Sequence, residues 1–579
     1  MRKLMRNRAL AWTLTALMTV AAVPVMANAE ETVFANPGTY TATEAGINGD
    51  VTLTVTFSES EITDIQVESQ ETATIGAGAM ETLTETVLAN QSLAIDTVSG
   101  ATISSTAYIA ALTACVEQAG GDIDALSSRE IAVSDEEAYP VTEADVIVIG
   151  AGGAGLSAAK TADENGASVI LIEKSSNVGG NTLCATMGIN AAESQVQTDL
   201  GVTVTVEELI EAQLNNEDAD EALVTAFAEN SGETIDWLAS LGVEFSAEGG
   251  NSDFMLMATA DGKTSTTLIN ALNDSLSSTD ITLYLNTTAT TLVTDDNGAV
   301  VGVVCEDADG NEVTFTGKAV VLATGGFGQN SELLAEVRPD LANAITDEIA
   351  PTTGDGLLMA QELGADTANL EDIQLFPHVI VGYGLLTPMN MPGGFNPDAI
   401  FVNENAERFV AEAFEVSDAI LEQPDGMAYC IFTEDNLNET LEGLMELGYV
   451  VSGETVEELA ENLGLDADAL QATIDQWNAD CEAGADSQFG REENLNKLEG
   501  TLYGYNFGVG AHYFMGGILI NEYTQVVDTN GDAIVGLYAA GEVTGGFHGN
   551  YRVDGSGTAD AFVFGRLAGK YATAYALGE

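Results

Sequence analysis

The stretch that most constrains the fold is ADVIVIGAGGAGLSAAKTADENGASVILIEKS, which begins at residue 144. It places a short apolar strand before a glycine-rich turn, an alanine-rich helix and a second apolar strand. Gly150, Gly152 and Gly155 have the spacing G-x-G-x-x-G, and Glu173 ends the second strand about 20 residues later. Glycines there let the backbone approach a pyrophosphate at the helix N-terminus, and a carboxylate can accept hydrogen bonds from a ribose. The stretch therefore predicts a dinucleotide-binding βαβ unit.

Two further glycine-rich turns follow apolar strands, in AVVLATGGFG at 319–328 and in GLYAAGEVTGG at 536–546. A nucleotide-binding domain that starts near 144 and resumes close to the C-terminus must be interrupted by a separate segment. Residues 366–504 contain helical patterns and polar loops and fit that segment. We therefore predict an α/β chain in which 144–365 and 505–579 form a Rossmann-like domain and 366–504 form an inserted α+β capping domain.

Residues 38–120 have the pattern of a second, smaller α/β domain. The segments DVTLTVTFSES and EITDIQVESQ alternate apolar and polar residues as half-buried strands do, and METLTETVLANQ and TAYIAALTACVEQ are typical of helices. Residues 121–143 are polar and acidic and contain a proline, so we predict a linker there.

Residues 1–29 have the pattern of a targeting segment. They combine a basic start, an apolar run and the sequence ANA, which predicts a secretory signal peptide and an exported, soluble mature protein. The alternative is an uncleaved membrane anchor. No cysteine follows the apolar run, so a lipoprotein anchor is not expected.

The composition excludes several classes of function. The chain has 16 Lys and Arg against 91 Asp and Glu, a formal net charge of −75, and will repel nucleic acid and anionic membranes. Its five cysteines form no CxxC pair and it has three histidines, which argues against a disulfide framework, a metal site and c-type haem. Because arginine is scarce, five arginines are candidates for binding an anion: Arg338, Arg408, Arg491, Arg552 and Arg566.

Eight segments occur in an order that is typical of one family: DVIVIGAGGAGLSAA, VGGNTLCATMGINAA, VVLATGGFG, TTGDGLLMA, FVNENAERFV, HYFMGG, GLYAAGEVTGGFHG and GRLAG. Together they resemble the flavoprotein subunit of the fumarate reductase and succinate dehydrogenase superfamily, above all its soluble flavocytochrome c and urocanate reductase types. The resemblance covers nearly all of 143–579. It implies that FAD is the dinucleotide and that the capping domain is mobile. It also implies an FAD site formed by Gly150, Gly152, Gly153, Ala154, Gly155, Glu173, Lys174, Gly180, Asn181, Thr182, Met187, Gly188, Ala323, Thr324, Gly325, Asp355, Gly541, Glu542, Gly555, Ser556 and Ala559.

The segment AIDTVSGATISSTAY, residues 94–108, has two interpretations. Its hydroxyl side chains could cap the helix that follows. It also resembles the motif of FMN-binding domains in which a flavin transferase attaches FMN to a threonine through a phosphoester. The resemblance then implies covalent FMN at Thr102, with Ser99 and Gly100 in the same motif. Such an FMN would replace haem and pass electrons from a membrane-side donor to FAD.

The resemblance further implies that FAD delivers a hydride to a polarised C=C bond. Arg552, in GNYRVDG, matches the family's carboxylate-binding arginine, because a guanidinium meets a carboxylate through two hydrogen bonds. His512, in HYFMGG, matches the family's substrate-binding histidine. Arg408 is expected to stabilise the capping domain rather than to act in the chemistry.

Two departures from the family concern the proton donor and the substrate. Val416 stands where the family has its proton-donating arginine, and Phe376 stands where it has a second histidine, with His378 two positions later. We therefore expect a substrate other than fumarate, with one carboxylate or an enone carbonyl. Candidate proton donors are Tyr513, His378 and a capping-domain carboxylate such as Glu415.

The sequence thus predicts an exported flavoprotein of anaerobic respiration that reduces the activated C=C bond of an unsaturated carboxylate or enone. Two alternatives stay open. A dehydrogenase of the ketosteroid dehydrogenase type would form a double bond instead, and an electron-transfer flavoprotein would turn over no substrate.

Overall fold

The structure is a computed structural model that describes residues 33–46, 49–71, 76–95, 97–98, 101–129, 139–185, 187–258, 264–342, 344–382, 398–412 and 416–579, without the side chains of Thr102, Pro377, His378, Asp425 and Glu439. The predicted signal peptide lies outside these residues. The chain forms two compact units, the first made of Met1–Gln70, Leu83–Ile95 and Ala107–Ala132 and the second of Glu71–Thr82, Asp96–Thr106 and Val133–Glu579. Among the helices in the described ranges, none is both long and apolar enough to cross a membrane.

The N-terminal elements are β1 (Gly38–Ala45), β2 (Asp50–Phe57), β3 (Ile62–Glu68), α1 (Gly78–Asn90), α2 (Thr102–Gln118) and α3 (Ile123–Ser127). The three strands form an antiparallel sheet in chain order. Val51, Leu53, Val55 and Phe57 alternate along β2 and are buried, since a strand turns every second side chain to the same face. Both strands and both helices predicted in this region are confirmed.

The elements between the linker and the capping region follow in chain order: β4 (Val146–Ile149), α4 (Gly153–Glu164), β5 (Val169–Ile172), β6 (Ile189–Asn190), α5 (Gln195–Leu200), α6 (Val206–Leu214), α7 (Glu221–Ser240), β7 (Phe245–Ser246), β8 (Met255–Ala258), α8 (Thr264–Leu276), β9 (Thr282–Tyr284), β10 (Thr287–Thr294), β11 (Val300–Asp307), β12 (Glu312–Thr316), β13 (Ala319–Leu322), α9 (Ser331–Val337), β14 (Ile345–Thr346), α10 (Asp355–Glu362) and β15 (Thr367–Ala368).

The remaining elements are β16 (Ile373–Ile380), β17 (Ile400–Val402), α11 (Ser417–Leu421), β18 (Met427–Thr433), α12 (Glu439–Glu446), β19 (Val451–Gly453), α13 (Val456–Leu463), α14 (Ala467–Ala483), β20 (Leu502–Phe514), β21 (Gly517–Leu519), β22 (Gln525–Val527), β23 (Ala533–Ala539), β24 (Thr544–Gly545) and α15 (Ser556–Leu577).

A six-stranded sheet with the order β22-β23-β13-β4-β5-β9 organises the nucleotide-binding part. Strands β23, β13, β4, β5 and β9 run parallel. The sequences VIVI, VILI and AVVL are buried along their whole length, as expected for strands covered on both faces. The C-terminal helix α15 packs closely against α4, since a Cβ on Gly565 would meet the Ala154 carbonyl oxygen at 2.4 Å. The Rossmann-like fold predicted from the sequence is confirmed.

The capping part is built on a second sheet with the order β14-β20-β18-β17, to which β16 and β19 add by pairing with β20. Strand β20 begins in this sheet and ends at His512, Tyr513 and Phe514, so it carries capping residues directly to the cavity described below. The predicted boundary between 504 and 505 falls inside this strand. The domain limits derived from the sequence stay predictions.

A buried ion-pair cluster stabilises the capping part. Arg408 pairs with Glu412 at 2.7 Å and with Asp486 at 3.1 Å, and the side chains of all three residues are fully buried. The Arg408 guanidinium also stacks 4.6 Å from the Trp477 ring centroid. This arrangement agrees with the structural role expected for Arg408, because a buried guanidinium needs carboxylate partners to offset its desolvation.

Candidate active site

A cavity of about 570 Å³ lies beyond the carboxyl ends of the parallel strands. Residues that directly follow four of these strands line it, namely Gly150 after β4, Glu173 after β5, Ala323 after β13 and Ala540 after β23. Open α/β sheets bind ligands at this edge, because the strand ends and the helix N-termini converge there.

The glycine-rich turn forms one end of this cavity. Gly150 has φ of +99°, which favours glycine, and a Cβ on Gly155 would come within 1.7 Å of the Gly150 carbonyl oxygen. Helix α4 starts at Gly153, and its N-cap residue Gly152 has no side chain to cap it, although the Gly153 N–H donates to Thr182 Oγ1 at 3.2 Å. Gly152, Gly153 and Ala154 line the cavity, so the positive end of the helix dipole faces it, as a pyrophosphate-binding cradle requires.

Charged side chains next to the turn are held in place by the protein itself. Glu173 accepts hydrogen bonds from the Ala151 N–H at 2.8 Å and from the Ser175 N–H at 2.7 Å. Lys174 donates to Asp355 at 2.7 Å, so these two predicted cofactor-binding residues pair with each other on the cavity wall. The turn, the helix N-terminus and the oriented carboxylate fit an FAD, for which they would hold the pyrophosphate and the adenosine ribose.

Most of the predicted FAD-binding residues come together in this cavity: Gly150, Gly152, Gly153, Ala154, Glu173, Lys174, Gly180, Asn181, Thr182, Met187, Ala323, Thr324, Gly325, Asp355, Gly541 and Glu542. Their individual roles stay predictions. Thr182 lies in a short 3₁₀ helix and accepts a hydrogen bond from the Gly153 N–H at 3.2 Å.

The other five predicted FAD-binding residues do not line the cavity: Gly155, Gly188, Gly555, Ser556 and Ala559. Ser556 is fully buried, and its hydroxyl accepts hydrogen bonds from the side-chain amides of Asn190 and Gln213. A Cβ on Gly188 would meet the Leu256 carbonyl oxygen at 2.4 Å.

Ion pairs distinguish Arg552 from the other four candidate arginines. Arg338, Arg408, Arg491 and Arg566 each form an ion pair with a carboxylate. Arg552 is 7% exposed and lines the cavity, and no carboxylate of the described residues lies within ion-pair distance of it. Its Nε donates to Gln374 Oε1 at 2.9 Å, which leaves the two Nη groups available for a ligand.

The ring of Tyr513 contacts the Arg552 guanidinium. The Arg552 guanidinium lies 4.9 Å from the centroid of the Tyr513 ring, within the range of a cation–π contact. The Tyr513 hydroxyl donates to Asp560 at 3.2 Å and lies 3.1 Å from His548 Nε2. Burial raises the pKa of Tyr513 well above its usual value and lowers the pKa of His548. The lowered pKa favours a neutral His548, whose Nε2 also lies 3.6 Å from Asp560 Oδ2 and whose buried Nδ1 has no hydrogen-bond partner among the described residues.

His512 projects into the same cavity next to an aromatic ring. Its Nδ1 lies 2.7 Å from Asp347 Oδ2, which fixes the orientation of the imidazole. The Phe376 ring meets the imidazole edge-on with 4.4 Å between centroids. This part of the wall combines one hydrogen-bonding imidazole with an apolar face.

Several candidate site residues are buried away from the cavity or lie outside the described residues. Val416 is buried in the apolar core of the capping part, so it offers no polar atom to the cavity. The side chain of His378 and all of Glu415 lie outside the described residues. The same holds for Ser99, Gly100 and the side chain of Thr102, although Thr102 is the first residue of α2.

Hydrogen bonds near α2 limit the capping interpretation of this segment. Ser104 donates to Glu71 Oε2 at 2.7 Å rather than accepting from the backbone, and Ser105 accepts from the Val98 N–H at 3.1 Å.

Sequence reasoning missed a group of cavity carboxylates. Asp347, Glu348 and Glu542 all line the cavity, and only Glu542 lay in a recognised motif, as a cofactor-binding residue. Asp347 and Glu348 precede the segment TTGDGLLMA with three residues between, and two adjacent acids in so acidic a chain carry no local signal. His548 and Gln374 were missed too, since their importance depends on contacts with Tyr513 and Arg552.

The fold and the cavity define a flavoprotein oxidoreductase with a Rossmann-like cofactor domain. A family model described as "FAD binding domain" matches residues 145–558, and one described as "FMN-binding domain" matches residues 46–117. The chain belongs to the FAD-binding family, whose members include the fumarate reductase flavoproteins, and carries an N-terminal FMN-binding domain. It is an FAD-dependent oxidoreductase.

Three similar proteins indicate the range of this family. Urocanate reductase from Eggerthella lenta is 34% identical over 93% of this chain and 92% of its own length. The open conformation of a flavocytochrome c3 fumarate reductase is 34% identical, with a TM-score of 0.71 over 78% of this chain and 84% of its own. A 3-ketosteroid-Δ4-(5α)-dehydrogenase from Rhodococcus jostii RHA1 is 26% identical, with a TM-score of 0.51 over 76% of this chain and all of its own.

Proposed function

We propose that this protein reduces the activated C=C bond of an α,β-unsaturated carboxylate. The observation that carries the proposal is the unpaired Arg552 guanidinium in the cavity wall. Leaving a buried charge without a partner costs several kcal/mol, so a site that keeps one is built for an anionic ligand. The similar reductases act, by their names, on urocanate and on fumarate, both of which are unsaturated carboxylates.

The described cavity favours a substrate with a single carboxylate. Arg552 is the only arginine among its described lining residues, and Lys174 is already paired with Asp355. Carboxylates and the Phe376 ring occupy other parts of the wall, so a second substrate carboxylate would meet repulsion rather than a counter-charge. A substrate with an apolar or aromatic group at its other end meets these walls better than fumarate does.

The roles of the protein follow from this placement. Arg552 binds the substrate carboxylate through its Nη groups, Gln374 and Tyr513 hold the guanidinium in position, and His512 orients the substrate from the other side. Bound FAD supplies the hydride. Tyr513 is a positioning residue here, because its hydroxyl is hydrogen-bonded to Asp560 and His548.

The electron supply and the location are proposed on the sequence alone. We infer that FMN attached to Thr102 feeds electrons to FAD, that a membrane-side donor reduces the FMN, and that the protein works outside the cytoplasm after removal of residues 1–29. The FMN-binding domain supports the first of these points. Mass spectrometry of peptides from protein produced with a flavin transferase tests it, since Thr102→Ala should abolish the flavin adduct.

Rapid-mixing experiments test the reaction itself. The protein is reduced chemically without oxygen, and reoxidation of its flavin is followed with fumarate, urocanate, cinnamate-type acrylates and simple enones. Fast reoxidation by an aryl acrylate and slow reoxidation by fumarate is the expected result. Fast reoxidation by fumarate contradicts the single-carboxylate substrate, and no reoxidation by any alkene contradicts the reductase function. Turnover of a saturated ketone with an artificial electron acceptor would instead favour a dehydrogenase. The chain is similar in fold to such an enzyme, the 3-ketosteroid dehydrogenase.

A further inference from the structure

Two glutamates meet in the cavity wall without a counter-charge. Glu348 follows β14, Glu542 follows β23, and both line the cavity. A Cβ on Gly326 would lie 3.1 Å from Glu348 Oε1 and 3.2 Å from Glu542 Oε1, so both carboxyl groups crowd the same glycine. No lysine or arginine of the described residues forms an ion pair with either of them.

Backbone groups satisfy only part of this pair. The Gly328 N–H donates to Glu348 Oε2 at 2.8 Å, and the Phe514 N–H donates to Glu542 Oε1 at 3.2 Å. Glu348 Oε1 is buried and has no partner other than what its neighbouring carboxyl can offer. Two ionised carboxylates cannot share such a site, whereas one proton between them turns repulsion into a hydrogen bond.

The charged groups around the two glutamates also favour one proton shared between them. Asp347 adds negative charge beside Glu348, and burial together with Glu542 raises the pKa of Glu348 well above its usual value. Burial also raises the pKa of Glu542, which His512 opposes. Tyr513 faces Glu542 as well and is neutral. These groups favour a pair that carries one negative charge in place of two.

We propose that Glu348 and Glu542 share one proton at neutral pH and form the proton store of the cavity, from which the proton of each reduction cycle is drawn. This inference rests on the proposed function. Reduction of C=C needs a hydride and a proton, and Val416 supplies none where the family has an arginine. Tyr513 lines the cavity, but its hydroxyl is hydrogen-bonded to Asp560 and His548. The pair lines the described wall of the cavity, and a shared proton there lies next to the substrate space.

Bound FAD would supply the hydride, with both electrons, to one alkene carbon. The Glu348–Glu542 pair gives up its shared proton to the other carbon. The pair then holds two negative charges, which the lost hydrogen bond and mutual repulsion disfavour, so it regains a proton from solvent before the next cycle. Flavin and substrate end as oxidised FAD and the saturated carboxylate.

Infrared spectroscopy of the holoenzyme tests the shared proton directly. At neutral pH the wild-type protein should show the carbonyl stretching band of a protonated carboxylic acid, which shifts in D2O. Glu348→Gln and Glu542→Gln should each shift the frequency of the band or remove it, because each breaks the hydrogen bond between the two carboxyl groups. Glu233→Gln is the matched control, because Glu233 is an exposed partner of Arg566 outside the cavity, and the band should remain unchanged. Absence of the band in the wild type, or an unshifted band in either cavity variant, overturns the shared proton.

Single-turnover reoxidation by the substrate tests the role of the store. Each single variant should slow this step by about 10²-fold or more and enlarge the solvent isotope effect. The double variant should be no slower than the single ones, because the two residues act as a unit. Rates within about twofold of the wild type overturn the role. If no alkene reoxidises even the wild-type flavin, the proposed function fails, while the infrared band still decides whether the pair shares a proton.

Discussion

Replacement of Arg552 by methionine probes the site most directly. Methionine fills the space above the Tyr513 ring but removes the charge and all five N–H donors. In the wild type the Nε is bound to Gln374 at 2.9 Å, and the guanidinium is held 4.9 Å from the ring, so the two Nη groups reach the substrate already oriented.

The expected loss follows from the hydrogen bonds that disappear. Each hydrogen bond between charged groups contributes about 1.5–3 kcal/mol, and the two from the Nη groups sum to about 3–6 kcal/mol. Since about 1.4 kcal/mol corresponds to a factor of ten, kcat/KM should fall by about 10²- to 10⁴-fold. Arg552→Lys retains the charge without the planar guanidinium, so its kcat/KM should lie between those of Arg552→Met and the wild type.

The assay compares a cinnamate-type acrylate with its methyl ester, after the FAD content of each variant has been matched. Arg552→Met should slow the acid far more than the ester, because only the acid carries the charge that the guanidinium binds. Arg566→Met is the control, since Arg566 pairs with the exposed Glu233 and lies outside the cavity. Equal losses for acid and ester, or a loss below about threefold for the acid, would show that Arg552 does not bind the carboxylate.

Four further variants or conditions test other parts of the structure. Asp347→Asn removes the carboxylate 2.7 Å from His512 and should lower kcat/KM about 10- to 100-fold in steady-state kinetics. Gly155→Val should yield protein without FAD absorbance, because even a Cβ would lie 1.7 Å from a backbone carbonyl oxygen of the turn. Arg408→Met leaves buried carboxylates unpaired and should cost about 3–5 kcal/mol in denaturant unfolding. Burial raises the pKa of Glu348, so the folded protein keeps a proton that the unfolded chain loses above the usual value of 4.5; the free energy of unfolding should therefore fall as pH rises from there toward neutrality, and less steeply in Glu348→Gln.

The sequence by itself determined the cofactor fold. The spacing of Gly150, Gly152 and Gly155 after an apolar strand fixes a local backbone conformation, and local conformation depends on neighbours along the chain. The order of the family motifs likewise predicted Arg552 and His512 as site residues and showed Val416 at the position of the family's arginine. These features are readable because each motif lies in one short segment.

Only the tertiary structure decided which charges are paired. Four candidate arginines have carboxylate partners and Arg552 has none among the described residues, and the sequence around each arginine does not reveal which of them are paired. The Glu348–Glu542 pair depends on β14 and β23, which lie in different sheets and far apart in the chain. The direction of the Tyr513 hydroxyl depends on Asp560 in α15. Burial and distance set the energy of a charge, and both arise only when the sheets and helices pack together.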